Sequence, residues 1–182
     1  MSSGVVPTSS LLPNGLCSTC QFLQWGYWTG ELDTPNSAGT LVASRDRAHI
    51  NTWIAGIPTS VTDLNTLKGQ AFVGTYTGNA FGSVVNNGAS YLASGGFAGT
   101  YNFGTQVGTM TVSNFDGRTI SATGSAPLTG GNYSFAVAQT GVAGSIKGAF
   151  FGPSAAETGG NFSVHTTIGP TYIASGIFAG KR

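Results

Sequence analysis

The chain is 182 residues long with a formal net charge of +1; 7% of its residues are charged, 40% are hydrophobic and 29 are glycine. That balance is too apolar for a disordered tail and too rich in turn formers for a helical bundle, so one domain of ordinary size with its own core is expected. Its basic residues are scattered along the sequence. No basic face is expected to steer nucleic acid, which is not expected as a partner.

No apolar run approaches the roughly 20 residues of a transmembrane helix, and no basic segment followed by an apolar stretch opens the chain. A soluble or surface-associated protein that does not span a membrane is expected. Few Lys and Glu against abundant Gly, Ser, Thr and Asn point to an extracellular or bacterial cell-surface setting.

Residues 1–20 have no usable period and contain Pro7, Pro13 and Gly15, which reads as an extended arm. Residues 21–67 read as a strand-bearing extension. In it, Phe22 to Gly30 is an aromatic-rich strand, Asp33 to Gly39 a turn around Pro35 and Asn36, and Arg47 to Ala55 a second strand. Gly56-Ile57-Pro58 ends that strand, and Val61 to Leu67 is a connection.

From Lys68 the segmentation becomes regular. Strands are expected near 69–77, 89–103, 106–115, 118–126, 131–139, 142–151, 159–167 and 171–180, separated by turn signals that include Gly78-Asn79, Asn86-Asn87-Gly88 and Asp116-Gly117. Eight short strands at this spacing can close a small barrel with a filled interior. The fold class is all-β: an eight-stranded antiparallel barrel over residues 68–182 preceded by a strand-bearing N-terminal extension.

Asp116-Gly117 is the sharpest local signal, since both central positions of a type I′ turn need positive φ. Phe115 should then face Arg118, with Ser113 opposite Ile120 and Thr111 opposite Ala122. In strand 131–139 Tyr133, Phe135 and Val137 alternate with smaller or polar residues and should be core. Glycines inside strands, among them Gly99, Gly108, Gly144 and Gly148, are expected at bends of the barrel.

Two clusters are candidates for chemistry. Cys17 and Cys20 form the only C-x-x-C, read as a short disulfide loop at the root of the arm. Half of a zinc site would need two further ligands, for which only His49 and His165 are available, and a redox role lacks the βαβ context. Trp25, Tyr27, Trp28 and Trp53 suit either core packing or contact with a partner or ligand. Nothing resembles a nucleophile elbow, a metalloprotease helix or a phosphate-binding loop, so no catalytic residue, metal or cofactor is expected and the chain reads as a non-enzyme.

Gly148-Ala149-Phe150-Phe151-Gly152-Pro153-Ser154-Ala155-Ala156-Glu157-Thr158-Gly159-Gly160-Asn161-Phe162-Ser163-Val164, with the closing Ser175-Gly176-Ile177-Phe178-Ala179-Gly180-Lys181-Arg182, reads as strand, turn, strand and final strand. The pattern resembles the last strands of the barrel domains of transferrin-binding protein B and its bacterial surface relatives. Tyr101-Asn102-Phe103-Gly104 and the run from Val107 to Gly117 resemble the paired strands of the same barrels, which also occur as C-terminal modules of long proteobacterial proteins. The resemblance covers about residues 69–182. Lys is scarce here, and Asn14-Gly15-Leu16-Cys17 lacks the small-residue pattern that precedes a lipidated Cys in that family.

The resemblance implies a non-catalytic extracellular or cell-surface module for protein binding or assembly, with recognition in the loops or the extension. Two alternatives stand beside it. One is a barrel that carries a haem-like or other apolar small ligand, with His49 or His165 as an axial ligand. The other is a self-associating structural subunit whose N-terminal arm pairs with a neighbour's sheet edge.

Overall fold

A computed structural model describes Leu12, residues 15–35, 42–125, Pro127 and 130–182, with backbone alone for 28–35 and 42–50. Its elements are β1 (Leu23–Pro35), β2 (Val42–Gly56), α1 (Val61–Gly69), β3 (Val73–Asn86), β4 (Ala89–Asn102), β5 (Val107–Phe115), β6 (Arg118–Ser125), β7 (Asn132–Gln139), β8 (Val142–Phe151), β9 (Glu157–Thr166) and β10 (Tyr172–Lys181). β1 and β2 pair as an antiparallel two-stranded sheet. The other eight strands form one antiparallel sheet in the order β6-β5-β4-β3-β10-β9-β8-β7. β6 and β7, the two ends of that order, lie side by side, so the sheet curls into a nearly closed barrel.

The barrel is filled. Tyr76, Phe97, Tyr101, Phe103, Phe135, Phe150, Phe162 and Phe178 are all buried in one continuous core. The alternation of β7 puts Tyr133, Phe135 and Val137 inside, as its sequence pattern predicts. Tyrosine hydroxyls inside find partners: Tyr76 Oη donates to the Ala155 carbonyl at 2.9 Å, and Tyr133 Oη lies 2.8 Å from Thr158 Oγ1. Thr158 Oγ1 itself donates to the Ala149 carbonyl, so the Tyr133 hydroxyl is the donor to Thr158. Burial pushes the Tyr101 hydroxyl up to about 12 and raises those of Tyr76 and Tyr133 as well.

Three local expectations are corrected. Residues 61–69 are a helix, not a plain connection: Ser60 caps it by accepting the Asp63 N–H at 3.0 Å, and Leu64 and Leu67 are buried on its inner side. Strand β3 runs through Gly78-Asn79 without turning. Gly78 pairs with Gly180 and Phe97, and a Cβ there would lie 2.0 Å from the Ala179 carbonyl oxygen, so this glycine marks close approach of strongly coiled strands.

The third correction concerns register. The Asp116-Gly117 turn is present, with φ of 52° and 71°, and Phe115 faces Arg118. Beyond it, Val112 faces Ile120 and Met110 faces Ala122, one residue from the expected pairing. A bulge at Ser113-Asn114, where Asn114 has φ 51°, absorbs the shift. Its effect is that Val112 and Phe115, three residues apart, both point inward and are fully buried.

Candidate functional site

The alternation rule fails on the outer face of β3 and β10, and the failure positions the N-terminal extension. Phe81 and Ile177 are register partners, and both are buried although neighbouring residues already fill the barrel interior. With Ala179 and Phe151 they form an external apolar patch. Leu12, Leu16 and Leu23 cover it, joined by Trp25, Tyr27 and Ile54.

Polar contacts fix the arm in place. The Asn79 side chain donates to the Gly15 carbonyl at 3.0 Å, and its backbone N–H donates to the Leu16 carbonyl at 3.1 Å. Cys17 and Cys20 are bonded with their Cα atoms 5.4 Å apart. Lys181 Nζ donates to the Thr19 carbonyl at 2.8 Å. Glu157 is fully buried on the outward side of β9. Its carboxylate accepts the backbone N–H groups of Gln21, Phe22 and Leu23, the last two at 2.9 and 3.1 Å. A carboxylate that collects several backbone donors is satisfied despite its burial, and it fixes the entry of β1.

The expected aromatic site is divided between environments. Trp25 faces its register partner Ile54 and packs, half-buried, against the external patch. Tyr27 lies beside Phe81, ring centroids 6.1 Å apart. Trp53 is the exposed member at 38%, and its indole lies against its partner Gly26, where a Cβ would come within 2.6 Å of the ring. Trp28 pairs with Asn51 in the backbone ladder, and its side chain lies outside the described residues. His165 is exposed on the outside of β9, and the side chain of His49 lies outside the described residues. Among the described residues no group of three or more His, Cys, Asp or Glu comes together.

Where the hairpin meets the barrel, an open groove of about 680 Å³ runs between Ile54 and the outer face of β7, β8 and β9. Phe151 and Ala149 make its apolar side, and Asn132, Lys147 and Asn161 its polar side. The docking surface and Glu157 escaped the sequence reading. The sequence signal was the run Gly176-Ile177-Phe178-Ala179-Gly180, which has no polar residue for an outer face; in β10 all five are buried, so both faces of the strand are covered.

No family model matches the chain, and no curated protein does. Solved structures do. A double mutant of the vaccine antigen transferrin-binding protein B from Haemophilus parasuis Hp5 aligns over 90% of this chain with a TM-score of 0.55 at 14% identity. Intact Ap-TbpB, with N and C lobes, aligns over 90% with a TM-score of 0.53 at 14% identity. This chain spans 33% and 34% of those two chains. A crystal structure named only as a surface lipoprotein aligns over 100% of this chain and 88% of its own, with a TM-score of 0.49 at 14% identity. The likeness to the first two is one of fold, and on that ground the chain has the fold of a transferrin-binding protein B-like barrel domain.

Proposed function

We propose that this chain is a non-catalytic protein-binding module of the bacterial surface or extracellular space, in which the barrel is a rigid pedestal and the β1–β2 hairpin the recognition element. The observation that carries the reading is Trp53, an indole 38% exposed on a hairpin whose other face is occupied by the barrel. Half-exposed Trp is a typical anchor of protein interfaces. The fold supports the setting, because the solved structures that share it include binding proteins by name.

The two alternatives fare less well. The lumen is packed with aromatic side chains and offers no haem-sized space among the described residues. Leu12 and residues 15–20 of the arm are engaged by the chain's own barrel, which counts against their use as a strand for a neighbour. Polar rows on the described exterior contrast with the apolar band of an outer-membrane barrel. Thr75, Thr100, Thr109 and Thr123 form one outward row across four strands, and Ser145, Ser163, Ser175 and Ser83 another.

The test compares the full chain with Trp53→Ser, matched by circular dichroism, as immobilised baits for extracellular glycoproteins, transferrin among them, and for bacterial surface proteins. Loss of an interfacial Trp should weaken a specific partner by about tenfold or more. Equal capture by both baits would overturn the reading.

A further inference from the structure

Among the described residues no backbone ladder joins the two ends of the sheet. β6 and β7 are the ends of the strand order, and the Gln139 side chain hydrogen-bonds across them. Ser121 N–H donates to Gln139 Oε1 at 3.3 Å, and Gln139 Nε2 donates to the Thr119 carbonyl at 3.4 Å. The carboxamide thus supplies the acceptor and the donor that a strand's backbone would supply to the β6 edge. Both bonds are long and exposed, so this side chain is readily displaced by a backbone amide.

Behind the same end of the seam lies a cavity of about 240 Å³, walled by Ile120, Val142 and Val164 and bordered by Arg118, Gln139 and Tyr172. It is smaller than the about 300–1,000 Å³ of drug-sized sites, which restricts it to a single side chain or a small head group. The Arg118 guanidinium sits 4.0 Å from the Tyr172 ring centroid and makes no ion pair among the described residues. Asp116, two positions away, accepts the Tyr91 hydroxyl at 2.9 Å.

A strand edge, a small cavity with an aliphatic wall and a guanidinium that stacks on Tyr172 and has no carboxylate partner among the described residues therefore meet at one end of the seam. We infer that this seam captures the extended C-terminal tail of another polypeptide. The last residue's aliphatic side chain enters the cavity between Ile120, Val142 and Val164. Its terminal carboxylate takes the Arg118 fork, for which planar bidentate geometry is suited. The preceding backbone amides replace Gln139 on the Thr119 carbonyl and the Ser121 N–H. Main-chain bonds then give affinity, and the pocket and cation select a free, apolar C-terminus. This site is separate from the hairpin surface and stands or falls independently of it.

The probe is a fluorescein-labelled hexapeptide of Ser and Thr ending in valine with a free carboxylate, compared with the same peptide amidated at its C-terminus. Binding to the full chain is followed by anisotropy and by amide chemical shifts. The acid should saturate, moving the Ser121 amide and the Gln139 side-chain resonances, while the amidated peptide binds about tenfold more weakly or worse. Arg118→Gln should weaken the acid by a similar factor and leave the amidated peptide unchanged; Arg118→Lys should recover part of the loss. Gln139→Ala should bind the acid at least as tightly as the parent, since nothing then needs displacing. Equal affinity of acid and amide, indifference to Arg118→Gln in a chain whose amide spectrum shows it folded, or no saturable shift at millimolar peptide would each overturn the inference. Isovalerate alone binding as tightly as the hexapeptide would also reject strand capture, leaving only a carboxylate pocket.

Discussion

Glu157→Gln removes one negative charge and almost no volume, which isolates the contribution of the carboxylate to docking of the N-terminal hairpin. In the parent, two carboxylate oxygens accept from three backbone donors, those of Gln21, Phe22 and Leu23, at a fully buried position. A carboxamide offers one oxygen and turns an NH₂ group toward the remaining donors, so at least one buried N–H loses its acceptor. An unsatisfied buried donor costs about 1–3 kcal/mol and a hydrogen bond to a charged group is worth about 1.5–3 kcal/mol, which together give an expected loss of about 2.5–6 kcal/mol.

That loss should fall on the hairpin first. All three tryptophans, Trp25, Trp28 and Trp53, lie in β1 and β2, so their fluorescence reports the hairpin, while far-ultraviolet circular dichroism reports chiefly the barrel strands. In a urea titration the parent should show coincident transitions by the two probes. Glu157→Gln should move the fluorescence transition to lower urea and pull it away from the dichroism transition. If both transitions stay within about 0.5 kcal/mol of the parent, the carboxylate does not hold the hairpin and the reasoning fails.

Other perturbations follow from the same structure. Gly117→Val should destabilise by about 1–3 kcal/mol from backbone strain alone, since Gly117 has φ 71° and open space around it. Exposed Thr100→Val in β4 should change stability by less than about 0.5 kcal/mol, and equal effects of the two by denaturant titration would refute the turn. Ala122→Val should destabilise by about 1–3 kcal/mol, because Ala122 is buried inside the barrel and overpacking forces its neighbours to shift. Burial raises the hydroxyls of Tyr76, Tyr101, Tyr133 and Tyr172 above 10, Tyr172 to about 12 with Asp116 adding to the effect. The unfolded chain then releases these protons near pH 10 while the folded chain keeps them, so the tyrosines' contribution to stability is fully present below pH 10 and is lost as the pH rises from 10 toward 12. Tyr133→Phe should flatten that fall in melting temperature; an identical alkaline profile would contradict it. Deleting residues 1–20 uncovers Phe81 and Ile177 and should give a less stable, self-associating protein by sizing and thermal melting, whereas an unchanged monomer would show that the arm covers nothing.

The strands were legible because turn residues and period-two alternation are local signals. Asn87-Gly88, Asp116-Gly117 and Gly141 all take positive φ at strand ends, as their identities require. What escaped was decided by contacts between distant segments. Gly78 has the composition of a turn, yet its role is set by the Ala179 carbonyl in the last strand. Helix α1 has only Leu64 and Leu67 buried, too few apolar positions for a period to declare itself. The bulge at Asn114 is invisible until Val112 and Phe115 are both seen inside. For the candidate site, Trp25, Tyr27 and Trp53 could be picked out by residue type, but their division between docking and exposure depends on Gly26 and the patch at Phe81. Glu157 gave a single acid in a glycine-rich run and no hint of the donors it gathers.

Among the described residues the barrel interior is filled largely by aromatic rings, which turns attention to its outer surface and its ends. On most of the outside, rows of Thr and Ser complete a water-compatible surface and present neither a cavity nor a strong charge. Two departures from that surface among the described residues have different physical origins. Under the hairpin, outward Phe81 and Ile177 create an apolar patch that the chain covers with its own arm, and covering it leaves Trp53 displayed on the far side. At the β6–β7 seam, closure of eight strands stops short of a ladder, and Gln139 spans edge groups that a ladder would have satisfied. The first departure stems from side chains that violate alternation, the second from backbone left unpaired. Substitutions at Trp53 and at Arg118 should consequently act independently, each weakening binding at its own site and leaving the other unchanged, as expected of sites that share no residue.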